Sequence, residues 1–179
     1  MNAVQASAVY GLPQARHRFY AWAACRAAQA GSAKAKPSEM VRGLETCGVF
    51  TYLAQPTHEP IEQSALDLLF YDWVEAAMRT LEHEFGKPVS FGIAAKLISV
   101  YAKGIYVLHA GPDCKLAERL HPPIDSLLLK GVDARFGTKH ASSFKWQKLD
   151  RSRYIALVTQ LRHQVADRPF WHLEEHWEP

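Results

Sequence analysis

The sequence predicts an all-α protein folded as one compact domain over residues 1–179. Apolar residues recur at helical spacing almost throughout, and no paired segments alternate as strands do. Apolar residues make up 48% of the chain and charged residues 22%, the balance of a globular fold rather than of a disordered chain. At 179 residues the chain is long enough to bury a real core.

The first helix is predicted to begin at Pro13, since proline is favoured in a first turn, and to end at Gly31. Its apolar positions are Phe19, Ala23, Ala27 and Ala30. Residues 31–37 are small and basic, which predicts a short flexible linker. Ser38 is a suitable N-cap for a second helix. The apolar positions of that helix are Met40, Val41 and Leu44, continuing to Val49, Phe50 and Leu53.

Two long helices follow. One opens at Pro60 and ends near Gly86, with an apolar stripe on one face. The stripe consists of Leu66, Leu69, Phe70, Trp73, Ala77 and Leu81. Residues 90–110 differ, because their apolar side chains fall on every side, as in a helix buried at the centre of a fold. Lys96 and Lys103 lie seven residues apart in this segment and so share roughly one face.

The last third of the chain begins with a rigid turn, residues 121–125 (His-Pro-Pro-Ile-Asp), that leads into a leucine-rich helix start. Asp150 is expected to cap a helix over residues 151–165. Pro169 is expected to open a short aromatic helix over residues 170–177.

Several classes of protein are not favoured. Three scattered cysteines are too few for a disulfide framework or an iron–sulfur site. The N-terminus lacks the basic and apolar pattern of a secretory signal, and lysines interrupt the most apolar stretch, so we expect no membrane-spanning helix. We therefore expect a cytoplasmic monomer with free thiols and no cofactor or metal.

Charge is distributed unevenly along the chain. Residues 57–86 contain seven acids and one base, whereas residues 87–168 contain fourteen bases and six acids. Residues 130–153 are the most basic part, and Phe136, Phe144 and Trp146 lie among the bases. Such a pattern suits a phosphate backbone and stacked bases. The alternative is a solvated loop and helix face.

Lys96 and Asp125 are the candidate catalytic residues. Burial in an apolar helix favours a neutral lysine amine, which is the form that attacks an electrophilic carbon. Asp125 follows two prolines that restrict its backbone, and a carboxylate there can stabilise the cationic sugar that develops as a glycosidic bond breaks. The alternative is structural: Lys96 extends to solvent and Asp125 caps a helix.

The segment Phe-Gly-Ile-Ala-Ala-Lys at residues 91–96, with Pro-Ile-Asp at residues 123–125, resembles the core of the helix-hairpin-helix DNA glycosylases. In that superfamily a glycine-bearing hairpin precedes a lysine, and a Pro-hydrophobic-Asp element supplies the catalytic aspartate. The spacing from Lys96 to Asp125 is similar to that of the small archaeal-type 8-oxoguanine glycosylases. The chain departs from the usual pattern in keeping one hairpin glycine, Gly92, and in lacking the iron–sulfur cysteines of some members.

The resemblance implies base excision from double-stranded DNA, with Lys96 attacking the sugar C1′ and Asp125 assisting. The base would be an 8-oxoguanine-like lesion or a hypermodified base of phage DNA, and strand cleavage can follow excision. Two other functions fit the same sequence: a non-catalytic nucleic-acid-binding module and a helical ribonuclease or toxin. The residues assigned to DNA binding are Gly92, His121, Lys139, Lys145 and Lys148.

Three further features have competing interpretations. His121 either contacts a phosphate or orients the sugar, or it is a capping or surface histidine. Phe170 and Trp171 either stack on the flipped base or dock the last helix on the core. His172 and His176 fit an inverted zinc-protease pattern, but the chain offers almost nothing downstream for a third ligand, so we predict no metal.

Overall fold

The computed structural model describes residues 10–28, 36–55, 58–86, 88–111 and 114–178. It is all-helical, with 75% helix and no strand among these residues, which confirms the predicted fold class. The α-helices are α1 (Leu12–Ala28), α2 (Pro37–Thr46), α3 (Val49–Leu53), α4 (Gln63–Phe85), α5 (Phe91–Ile105), α6 (Lys115–Arg119), α7 (Ser126–Phe136), α8 (His140–Ser143) and α9 (Arg151–Val165). Shorter 3-10 segments cover Val107–His109, Trp146–Lys148 and Phe170–His176.

Helix α5 is the centre of the fold, as the sequence predicted. The hydroxyl of Ser90 caps it by accepting a hydrogen bond of 3.2 Å from the amide of Ile93. It packs against α1, α3, α4, α9 and the Trp146–Lys148 segment. Leu97, Ile98 and Tyr101 are fully buried, and Lys96 is buried with them, whereas Lys103 is half-buried.

The segment Phe91–His109 is long and apolar enough to cross a membrane by length and composition, with a mean hydropathy of 1.4. The two lysines were expected to prevent this, and that expectation was too strict. Of the window, 61% is buried inside the fold, as in a core helix, so the segment is weak support for a membrane span.

The predicted boundaries hold best where a cap or a glycine defines them. Asp150 accepts a hydrogen bond from the amide of Arg153 at the start of α9. Gly86 ends α4 with a φ of 63°, a backbone conformation that favours glycine. The second helix was predicted less well, because it starts at Pro37 rather than after Ser38. Gly48, at a φ of 96°, divides its predicted continuation into the separate helix α3.

The predicted inner face of α1 is wrong. Phe19 is 59% exposed, and the buried residues are Ala21, Ala24, Cys25 and Ala28. Small side chains on this face let α1 approach α5 closely, and the ring of Tyr20 occupies the space that a Cβ on Gly104 would need. The predicted end of the helix at Gly31 and residues 31–35 of the predicted linker lie outside the described residues.

Gly92 lies in the first turn of α5 and is buried there, so it does not present its backbone to DNA as predicted. Its amide donates to the carbonyl of Leu149 at 3.2 Å. A Cβ at this position would lie 1.8 Å from the carbonyl oxygen of Trp146. The missing side chain therefore lets the Trp146–Lys148 segment pack directly on α5. Helix α9 begins shortly after this segment, at Arg151.

We expect Gly92→Ala to lower the free energy of unfolding by about 3 kcal/mol, because backbone must move to admit the methyl group. Gly111→Ala is the matched control, since no atom lies within 4 Å of the added Cβ there. Urea unfolding of both variants checks this. Equal stability of the two variants would contradict the close packing at Gly92.

Candidate active site

Lys96 and Asp125 meet in the structure. The Nζ atom of Lys96 donates to Oδ2 of Asp125 at 2.9 Å, across 29 residues of sequence. The two side chains are 8% and 11% exposed. Such a pair must be held by well-formed hydrogen bonds, because removing charges from water is costly.

The turn before α7 provides those hydrogen bonds. Asp125 is the N-cap of α7, and its Oδ1 accepts from the amides of Leu127 and Leu128 at 2.9 Å each. Oδ2 is thereby directed to Lys96. The capping interpretation and the pairing interpretation of Asp125 are therefore both correct, each for one carboxylate oxygen.

The environment favours the charged form of this carboxylate. Burial raises the pKa of Asp125. The amide of Leu128 and the side chain of Lys96 lower it, and together they outweigh burial, so the pKa lies below its ordinary value. The Nζ atom of Lys96 also lies 4.6 Å from the ring centre of Trp146. The sequence predicted apolar surroundings for Lys96, and the structure adds a carboxylate and an aromatic ring beside its Nζ atom.

The pair lines an open cavity of about 380 Å³, the size of a small-ligand site. The segment 141–148 and the start of α7 form the rest of its wall. The lining residues outside the pair are Ser126, Leu127, Ala141, Phe144, Lys145, Trp146, Gln147 and Lys148. The cavity thus combines one buried ion pair, two aromatic rings and two further cations.

Two of the three lysines predicted to bind DNA lie at this cavity. Lys145 and Lys148 are exposed and line it. Lys139 is exposed but is the residue before α8, away from the cavity lining.

His121 does not face solvent, so its predicted contact with a phosphate is not compatible with the structure. Its side chain is fully buried and stacks on Phe70 with ring centres 4.1 Å apart. Its Nε2 lies 3.0 Å from Oδ1 of Asp67, and its Nδ1 lies 3.2 Å from the hydroxyl of Tyr154. Burial is the largest influence on the His121 ring and lowers its pKa. The ring anchors the 121–125 turn to α4 and α9.

The two residues predicted to form the base pocket lie away from this cavity. Phe170 is 3% exposed and packs beside His121, and Trp171 is exposed against His172. Neither lines the cavity, so docking of the last segment is the interpretation that fits them. The aromatic residues at the cavity are Phe144 and Trp146, which the sequence analysis noted among the bases but did not assign to a pocket.

The zinc alternative has no support in the described part of the chain, where no group of three or more histidine, cysteine or acidic side chains could hold a metal ion. The ring of His176 instead packs edge-on against Phe136, with ring centres 5.3 Å apart. The three cysteines are free thiols.

No family model, curated protein or solved structure matches the chain.

The lowered pKa of Asp125 makes the stability of the site depend on pH. A carboxyl group with a depressed pKa stabilises the fold above its unfolded pKa, and this contribution is lost as the pH falls through the folded pKa. We expect Asp125→Asn to cost about 3 kcal/mol at pH 7, because Lys96 loses its partner. The difference from wild type should shrink as the pH drops below the ordinary value of 3.8.

Urea unfolding of both proteins from pH 7 to pH 3 checks this expectation. Asp72→Asn, on the exposed face of α4, is the matched control and should show no such dependence. A difference between wild type and Asp125→Asn that stayed constant with pH would contradict an ionised Asp125.

Proposed function

We propose that this protein is a DNA glycosylase with a helix-hairpin-helix-like core, which excises a modified or damaged base. The observation that carries the proposal is the buried pair of Lys96 and Asp125, 2.9 Å apart, in a cavity lined by aromatic and basic side chains. A surface ion pair would have neither the burial nor the cavity. The sequence resemblance at residues 91–96 and 123–125 supports the same reaction.

The reaction begins with loss of a proton from the Lys96 ammonium, for which the neighbouring carboxylate of Asp125 is the acceptor. The amine lone pair then bonds to C1′ of the sugar, and the C1′–N bond breaks. Its electron pair leaves with the base, which takes up the proton that Asp125 received from Lys96. Asp125 is thereby a carboxylate again and stabilises the positive charge that develops on the sugar. The resulting C1′–N bond to Lys96 becomes an imine when the sugar ring opens, from which strand cleavage can follow.

The cavity wall fits a flipped nucleotide. Phe144 and Trp146 offer ring faces of the kind on which extruded bases stack. Lys145 and Lys148 lie beside them and make no ion pair with any described residue, so their charges are available to phosphates. In this proposal the protein acts as a monomer in the cytoplasm on double-stranded DNA, and the base is an 8-oxoguanine-like lesion or a hypermodified base of phage DNA.

Binding to duplex DNA should depend steeply on salt if these lysines contact phosphates. We expect Lys145→Ala combined with Lys148→Ala to weaken binding equally on all sequences. The slope of log affinity against log salt should fall by about two, one contact for each lysine. Lys130→Ala, an exposed residue of α7 outside the cavity, is the single-site control. An affinity indifferent to salt would contradict binding through the phosphate backbone.

Excision should require both members of the pair. On duplexes carrying different modified bases, with released bases identified by mass spectrometry, Asp125→Asn should slow single-turnover excision at least about 100-fold, or about 3 kcal/mol. The affinity of this variant for DNA should stay the same or rise, because the variant lacks a negative charge that repels the phosphate backbone of DNA. Lys96→Gln should abolish the protein–DNA crosslink that borohydride traps from the imine.

Lys103→Gln is the control for the lysine, because Lys103 shares a face of α5 with Lys96 but pairs with Glu174 instead. A crosslink lost in Lys103→Gln and kept in Lys96→Gln would contradict the assigned nucleophile. Unchanged excision in Asp125→Asn, measured where the variant is folded, would contradict the carboxylate's role. Tight DNA binding with no base released from any duplex would favour the non-catalytic binding module.

A further inference from the structure

The end of the chain packs closely beside the candidate site. The Phe170–His176 segment lies against α7, where Gly131 has no side chain. A Cβ on Gly131 would lie 1.8 Å from the carbonyl oxygen of His176. Glu174 of the same segment accepts a hydrogen bond of 2.7 Å from Nζ of Lys103 on α5. Two contacts, one on α7 and one on α5, therefore fix the direction in which the chain leaves this segment.

The next residue is Trp177, and its indole reaches Asp125. The Nε1 atom donates to Oδ2 of Asp125 at 3.4 Å. Oδ2 is the same oxygen that Lys96 contacts, whereas Oδ1 is occupied by the two α7 amides. Trp177 does not line the cavity, so it approaches the carboxylate from outside the space that a substrate would fill.

We propose that Trp177 is a positioning residue, which holds Oδ2 of Asp125 in place while Lys96 reacts. This inference rests on the proposed function. When Nζ of Lys96 moves to bond C1′, its hydrogen bond to Oδ2 is broken. The indole N–H then remains as a donor to that oxygen. The indole nitrogen of Trp177 donates a hydrogen bond and does not accept one. Trp177 therefore stabilises the ionised form of Asp125 and does not act as a proton acceptor.

Besides the α7 amides, Lys96 from α5 and Trp177 from the C-terminal segment contact Asp125. The half-buried carboxyl of Glu174 lies close enough for the charge of Asp125 to affect it. Burial raises the pKa of Glu174, Lys103 opposes that effect, and the charge of Asp125 adds to it. Loss of the indole donor should raise the pKa of Asp125, so the acidic limb of an excision profile should move to higher pH.

The contact itself can be tested without a substrate. In ¹H–¹⁵N spectra of the free protein, the indole resonance of Trp177 should shift in Asp125→Asn, because the acceptor loses its charge. The indole resonance of Trp22, which is 52% exposed on α1, should not move. A Trp177 resonance unaffected by Asp125→Asn would overturn the proposal whether or not the protein is a glycosylase.

The role is tested by Trp177→Phe, which keeps an aromatic ring and removes the donor. Trp177 is 41% exposed, so this change should leave the melting temperature near that of wild type. We expect single-turnover excision to slow about 3- to 10-fold at neutral pH, with the acidic limb moved to higher pH and DNA affinity unchanged. Trp22→Phe should match wild type in all of these measurements.

An unchanged rate and pH profile in Trp177→Phe, alongside strong loss of excision in Asp125→Asn, would overturn the positioning role and leave the proposed function standing. Wild-type protein that releases no base from any duplex would overturn the proposed function and the role in catalysis together. The spectra would still report whether the contact exists.

Discussion

The ion pair between Lys96 and Asp125 is the interaction on which the surrounding structure depends. Both charges lie almost fully out of water, where an unpaired ion would be strongly destabilising. The cost is offset by hydrogen bonds from two amides of α7, by the Trp146 ring and by the indole of Trp177. Each comes from a different part of the chain, so the pair can form only when α5, α7, the 146–148 segment and the C-terminus are all in place.

Backbone features rather than bulky side chains make this convergence possible. Gly92 and Gly131 each leave space for a carbonyl of a neighbouring segment, one on the Trp146 side and one on the His176 side. The 121–125 turn is anchored at its first residue, His121, and ends at Asp125, with two prolines between them. Strong local restraint at both ends of the turn explains how the carboxylate is held without any strand to support it.

The sequence predicted the parts that depend on local chemistry. Asp125 and Asp150 are caps in the structure as well, because a side-chain oxygen bonding its own helix start needs no distant partner. The buried face of α1 was mispredicted because it is decided by tertiary contact with α5, where the ring of Tyr20 packs on Gly104. The choice between two pairs of aromatic residues for the cavity likewise depends on tertiary packing. Phe144 and Trp146 lie at the cavity and Phe170 and Trp171 do not, although all four follow helix ends or turns.

Some of the unevenly distributed charges form ion pairs between helices, which composition alone does not show. Arg162 pairs with Asp67, and Arg151 pairs with Glu75, so bases of α9 are neutralised by acids of α4. Part of the basic region therefore attaches α9 to the acidic helix through ion pairs. Lys145 and Lys148 have no ion-pair partner among the described residues and border the cavity. A polyanion at the cavity would therefore meet these two lysines beside the Lys96–Asp125 pair, whereas the exposed Lys130 and Lys139 lie outside the cavity lining.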